Sequence, residues 1–177
     1  MSDIPVPERI VTPRLVLRKS RYEDWRELYE NVWSRAEAAR YMLWSVTPSE
    51  EAAKARMLRT LEFERTHPYK YIVEEKQSGS VIGWAGVERL ADGVWGETGI
   101  ALSPDRWRRG YGREIVQALV SLCRDTLGAK LFIYSARREN TASAALARSS
   151  GFAYERSETR SDEAGEEYVL DYYRREL

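Results

Sequence analysis

Ser103-Pro104-Asp105-Arg106-Trp107-Arg108-Arg109-Gly110-Tyr111-Gly112-Arg113 is the stretch that decides the fold. An apolar run ends at Leu102, Ser103-Pro104 turns the chain, and the glycines and arginines stand directly before a helix predicted over 112–127. Val116, Leu119, Val120 and Cys123 keep the i, i+3, i+4, i+7 spacing of one buried helical face, and Gly128 stops it. Glycines at that joint let backbone amides face outward at a helix N-terminus, where the helix dipole favours an anion. The flanking arginines add fixed positive charge. The physical expectation is a pyrophosphate cradle between a strand and a helix.

Upstream, residues 69–75, 81–88 and 94–102 read as strands joined by turns at Gln77-Ser78-Gly79-Ser80 and Ala91-Asp92-Gly93, an antiparallel meander. Residues 12–18, with Leu15 and Leu17 alternating against polar neighbours, read as a half-buried strand. Ser20 with Glu23 resembles a capping box for a helix whose apolar face is Trp25, Leu28, Tyr29 and Val32. Thr47-Pro48-Ser49-Glu50 signals a second helix, with Pro48 at its first position and Ala53, Met57, Leu58 and Leu61 as its buried stripe. Downstream, a strand over 130–135, a short helix over 141–150 ending at Gly151, and a strand pair over 153–159 and 168–174 complete the chain. The pattern is one α+β domain spanning residues 1–177, with a central, mostly antiparallel sheet flanked by helices.

The 177 residues carry 28 basic and 28 acidic side chains, so no global field gathers nucleic acid or an anionic membrane. The single cysteine, Cys123, excludes an internal disulfide and a cysteine-rich metal site, and no metal is expected. Met1-Ser2-Asp3-Ile4-Pro5 lacks a basic-then-apolar leader, and no run reaches the ~18 apolar residues of a membrane span. A soluble, cytoplasmic protein is the expectation.

Three phosphate-binding patterns compete for the glycine stretch. A P-loop needs Gly-x-x-x-x-Gly-Lys-Ser/Thr, which is not there. A dinucleotide fingerprint needs a third glycine where Ile115 stands, and a parallel βαβ unit where a meander is read. Coenzyme A is the remaining ligand, beside the bland alternative of a solvated turn and helix cap. Four blocks then decide. Thr12-Pro13-Arg14-Leu15-Val16-Leu17-Arg18, Glu97-Thr98-Gly99-Ile100-Ala101-Leu102-Ser103-Pro104, the loop from Trp107 to Arg113, and Asn140-Thr141-Ala142-Ser143 leading to Gly151-Phe152 occur in that order. Together they resemble the GNAT acetyltransferase superfamily, and within it the RimJ/RimL-type N-acetyltransferases.

The resemblance implies the splayed GNAT sheet and the transfer of acetyl from acetyl-CoA to a primary amine by direct attack in a ternary complex. The amine would belong to a protein N-terminus or a small molecule. It implies that Arg108, Arg109, Gly110, Tyr111, Gly112 and Arg113 hold the pyrophosphate, that the backbone of Ile100, Ala101 and Leu102 pairs with the pantetheine arm, and that Asn140 and Ser143 lie near its sulfur. It makes Glu97 the catalytic base, with Glu158 and Asp162 as weaker candidates, and Ser143 the proton donor to the leaving thiolate. The tyrosine that many superfamily members use as this donor is replaced by Ala147. A non-catalytic acyl-CoA sensor is therefore the alternative function.

Elsewhere the readings are structural. Cys123 and Trp25 belong to the core and His67 to the surface, while Trp44, Trp84 and Trp95 are candidates for an acceptor pocket. Arg137-Arg138 either approaches the nucleotide 3′-phosphate or is a solvated strand end, and exposed C-terminal strand edges leave room for a homodimer.

Overall fold

A computed structural model describes residues 6–177, so the reading of Met1 to Pro5 lies outside the described residues. Eight strands form one sheet: β1 (Arg9–Val11), β2 (Leu15–Arg18), β3 (Lys70–Glu75), β4 (Val81–Ala91), β5 (Val94–Leu102), β6 (Leu131–Arg137), β7 (Ala153–Ser161) and β8 (Glu167–Glu176). Their order across the sheet is β1-β2-β3-β4-β5-β6-β8-β7. Every pairing is antiparallel except β5 with β6. That parallel pair is bridged by helix α4 (Tyr111–Ser121), which continues as a π turn over Leu122–Thr126.

Both faces of the sheet are covered, as the strand alternation requires. On one face Tyr71, Val73, Ile82 and Trp95 meet Ile115, Val116, Leu119 and Cys123 of the α4 segment, together with Ala144 and Ala147 of α5 (Thr141–Ser149). On the other, Ile72 and Val81 meet Trp25 and Leu28 of α1 (Trp25–Leu28), Val32 and Trp33 of the π turn after it, and Ala53 and Met57 of α3 (Glu50–Glu64). A four-residue helix, α2 (Ala36–Ala39), lies between α1 and α3.

Local readings shift where side chains find other partners. The strand read over 12–18 starts only at Leu15, as β2; Thr12-Pro13-Arg14 turn the chain into it from β1, which lies before the segment read. Ser20 caps nothing; its hydroxyl reaches Glu64, and Asp24 instead accepts the Arg21 N–H at 2.7 Å. Ser49, not Thr47, is the N-cap of α3, accepting Ala52 N–H at 3.1 Å, so Pro48 precedes the helix. Leu58 leaves the expected buried stripe and is 58% exposed.

The sheet opens beside its parallel pair. β5 and β6 pair only at Val94↔Leu131, Trp95↔Phe132 and Gly96↔Ile133, although β5 runs on to Leu102 and β6 to Arg137. On its other edge β5 stays with β4, but the register jumps from Val87↔Glu97 to Ala85↔Ile100, an extra residue that bulges at Thr98-Gly99. Gly99 takes φ +109° there, a conformation open mainly to glycine.

Candidate active site

The residue that ends the β5–β6 pairing is Glu97. Its carboxylate lies in the opening and accepts from Gly99 N–H, from Ser135 N–H at 3.3 Å and from Ser135 Oγ at 3.0 Å. Burial pushes its pKa above the ordinary carboxylate value, against the pull of those hydrogen bonds. The split between β5 and β6 lets the side chain turn into the sheet's opening.

Across the opening, Tyr134 Oη and Ser143 Oγ are 2.8 Å apart. Tyr134 is 4% exposed, and burial first, then the Glu97 charge, raise its pKa. Asn140 caps α5 by accepting Ser143 N–H at 3.1 Å, which fixes where the Ser143 hydroxyl stands. Sequence reading missed Tyr134 because it looked for the tyrosine at Ala147, which is fully buried core. Strand alternation from Phe132 held the signal: Phe132, Tyr134 and Ala136 are the buried residues of β6, the side on which α5 packs.

Glu97, Ile100, Tyr134, Asn140 and Ser143 line one cleft of about 1150 Å³, roofed by the segment from Tyr41 to Pro48 and by α3. Trp44 and Trp84 line it as expected. Trp95 does not; it is core, edge-on to Tyr69 with ring centres 5.1 Å apart. Glu158 is committed to Arg156, Arg160 and Tyr172, which hold its pKa down to about 2, with Arg160 the largest influence. Asp162 accepts the N–H groups of Ala164 and Glu166 in the β7–β8 turn. Neither lines the cleft. Arg138 pairs with Asp171 at 2.8 Å and Arg137 stacks on Tyr168 at 3.9 Å.

The expected phosphate loop lies outside this cleft's lining; Gly110 and Arg113 border a separate hollow with Pro13 and Arg14. Its backbone nonetheless has the form of an anion nest. Among the described residues Arg108 is the one non-glycine with positive φ, +60°, and Gly110 at +80° opens α4 without a side-chain cap. The first N–H groups of α4 therefore have no partner within the helix. Two braces hold the loop. Tyr111 Oη donates to buried Glu75 at 2.7 Å, and Arg106 pairs with the same carboxylate at 3.2 Å. On the far side Arg14 donates to Arg109 O at 2.7 Å while pairing with Glu114 at 2.8 Å.

Of the expected backbone contacts, Ala101 is corrected. Ser103 N–H donates to Ile82 O at 2.7 Å, so by strand alternation Ala101 also faces β4. The same alternation turns the peptide groups of Ile100 and Leu102 toward the opening, where Leu102 O is taken by the Trp107 indole at 3.0 Å. Cys123 is fully buried, its thiol pushed up to about 12 by desolvation, and cannot act as a nucleophile.

The chain is similar to known proteins over most of its length. Residues 14–153 match the model of the acetyltransferase (GNAT) domain. The uncharacterized N-acetyltransferase p20 of Bacillus licheniformis is 30% identical over 154 residues, 84% of each chain. A GNAT-family acetyltransferase of Bacillus anthracis superposes with TM-score 0.82 at 19% identity, over 95% of this chain and 98% of that one. RimL, a ribosomal L7/L12 alpha-N-protein acetyltransferase solved in complex with coenzyme A, gives 0.77 at 18% identity, over 98% and 97%. No helix among the described residues is long and apolar enough to cross a membrane.

Proposed function

The chain belongs to the GNAT acetyltransferase family, and from that premise we propose that it acetylates a primary amine from acetyl-CoA, with Glu97 as base and the Tyr134–Ser143 pair as acid. The observation that carries this reading is the juxtaposition, in one cleft at the sheet's opening, of a partly buried carboxylate and a hydroxyl pair anchored on buried Tyr134.

The residues present fit acetyl-CoA. The nest at Arg108 and Gly110 and the uncapped start of α4 suit a pyrophosphate, and the open β5 edge at Ile100 and Leu102 suits an amide-bearing arm. When bound, the cofactor supplies an acetyl thioester and a thiolate leaving group. Everything else falls to the protein. An amine arrives protonated at neutral pH, and Glu97, made more basic by burial, takes the proton directly or through water. The Ile100 N–H, pointing into the opening beyond the Thr98-Gly99 bulge, is placed to polarise the thioester carbonyl. Ser143 Oγ, relayed from Tyr134 Oη at 2.8 Å, donates a proton to the departing sulfur. No enzyme nucleophile is needed.

The acceptor is a protein N-terminus or a small-molecule amine. The test is a thermal shift with acetyl-CoA, with NADH and ATP as controls, followed by thiol release across an amine panel. A shift specific to acetyl-CoA with turnover supports the enzyme; a shift with no turnover on any amine returns the sensor reading.

A further inference from the structure

We propose that Arg56 is an anion-recognition residue of the acceptor end of the cleft, so that the amine this protein acetylates carries a carboxylate or phosphate group. This assignment rests on the acetyl-transfer reading for its substrate, though the anion site itself does not.

Arg56 projects from α3 into a cage of three tryptophans. Its guanidinium carbon is 4.5 Å from the Trp33 ring centre, 4.6 Å from Trp44 and 5.8 Å from Trp84. Its hydrogen-bond acceptor in the protein is Thr47 Oγ1, at 3.0 Å from Nη1. Among the described residues no carboxylate pairs with it, and the charge that acts on it is like-signed Arg59. Contrast Arg18, whose guanidinium meets Asp24 and Glu74, each at 2.8 Å. Arg18 is given two counter-ions; Arg56 is given aromatic faces and one neutral hydroxyl. Cation–π contact offsets part of the desolvation, and burial lowers the pKa to about 10, which leaves the group charged at neutral pH.

The surroundings of Arg56 are short of acceptors. Trp33 Nε1 and Trp44 Nε1, both able only to donate, are buried with no partner, and Thr98 Oγ1 is buried and unpartnered in the same cleft. Arg59 and Lys70 also line it. Of the three acids that line the cleft, Glu64 engages Ser20 and Glu97 engages Gly99 and Ser135, while Glu88 is exposed and makes no ion pair with Arg56. A guanidinium whose Nε–Nη2 edge meets no acceptor among the described residues, caged by two rings whose indole N–H groups are also unpartnered, is complementary to an oxyanion that can accept a bidentate pair. Carboxylate and phosphate share that chemistry.

The three tryptophans provide the readout. Intrinsic fluorescence of the full chain is titrated, without acetyl-CoA, with succinate, with inorganic phosphate, and with succinamide as the neutral control. Saturable change with succinate or phosphate but not succinamide is expected, and the anion that saturates more tightly names the group. Arg56→Met should weaken that binding about 10-fold or more, as loss of a charge-assisted bond implies, and Arg59→Met should retain it. No saturable change with either anion, an equal response to succinamide, or an unaltered titration in Arg56→Met overturns the proposal. Should Arg56→Met fail to fold, the wild-type contrast between anions and succinamide decides alone. Acceptor assays then separate the two readings. With acetyl-CoA, glycyl-aspartate amidated at its C-terminus should outpace glycyl-asparaginamide in wild type if carboxylate saturates, with the ratio falling toward one in Arg56→Met. Anion binding without turnover on any amine defeats acetyl transfer and leaves Arg56; turnover without anion binding defeats Arg56 alone.

Discussion

Replacing Glu97 by Gln keeps the shape of the side chain and removes its charge, and the structure sets what each loss is worth. The carboxylate accepts three donors: Gly99 N–H on one oxygen, Ser135 N–H and Oγ–H on the other. An amide in that place accepts on one side only, so one backbone N–H meets an NH2 and goes unpaired, at about 1–3 kcal/mol. Against this, the variant no longer holds a charge whose burial raises its pKa. Stability therefore changes little, while the barrier loses a general base worth about 10²–10⁴ in rate, or roughly 2.7–5.5 kcal/mol. Thiol release measured against pH should show kcat down by about that factor with the acetyl-CoA thermal shift intact.

The pH dependence follows from the sign of the shift. A carboxyl whose folded pKa lies above its unfolded value is deprotonated only above the ordinary carboxylate range, so the acid limb of kcat/KM lies there and vanishes in Glu97→Gln. In stability, the raised value favours the protonated fold below the unfolded pKa, and that advantage is lost as pH rises through the folded pKa. The melting point of Glu97→Gln relative to wild type should accordingly improve as pH rises. A variant that keeps more than about a tenth of kcat, with the acid limb unmoved, would refute Glu97 as the base.

Three further outcomes are expected. Tyr134→Phe and Ser143→Ala should each lower kcat, and because the hydroxyls are 2.8 Å apart in one relay, the double variant should lose less than the product of the singles in a double-mutant cycle. Glu75→Ala should unfasten Tyr111 and Arg106, costing about 1–3 kcal/mol of stability in denaturant titration and weakening acetyl-CoA binding by calorimetry. Hydrogen bonds from Ser78 and Tyr111 hold the Glu75 pKa below its ordinary value, so the stability it contributes is present above that value and fades as pH falls in wild type but not in Glu75→Ala. Gly83→Ala would set a Cβ 2.0 Å from the Ala101 carbonyl oxygen, forcing β4 from β5. That overpacking should cost about 1–3 kcal/mol, or roughly 2–12 °C in the melting midpoint by calorimetry.

What was legible in the sequence was whatever depends on neighbours along the chain. The α4 stripe, the meander and the glycine-rich joint are local patterns of spacing and turn chemistry, and they stand in the fold where they were read. The caps went astray because a cap is a choice among nearby polar side chains: Ser20 had Glu64 to bond, which lies on a different helix. Leu58 is apolar at a buried spacing yet points outward, since α3 packs on the sheet chiefly through Ala53 and Met57. The site was half legible. The family resemblance singled out Glu97, Asn140 and Ser143, which share one cleft, but Tyr134 became visible only once β6 lay beside β5 and α5 lay across it. The Arg56 cage draws on α3, β4 and the segments flanking α2, which no local pattern connects.

The opening of the sheet and the position of the Glu97 carboxylate have one origin. In a parallel pair, each N–H of one strand needs a carbonyl from the other. Beyond Gly96↔Ile133 that supply stops, because the bulge at Thr98-Gly99 carries β5 away with β4. Ser135 N–H is then left facing the gap, and an unpaired buried donor there would cost about as much as a lost hydrogen bond. The Glu97 side chain reaches across and accepts it, standing in for the missing ladder carbonyl. A neutral acceptor would serve the sheet as well. A carboxylate costs more, since its charge is desolvated, and the raised pKa expresses that cost. The sheet alone gives no reason for it. The proposed role as base does, and on that proposal Glu97→Gln should preserve the fold and remove the chemistry.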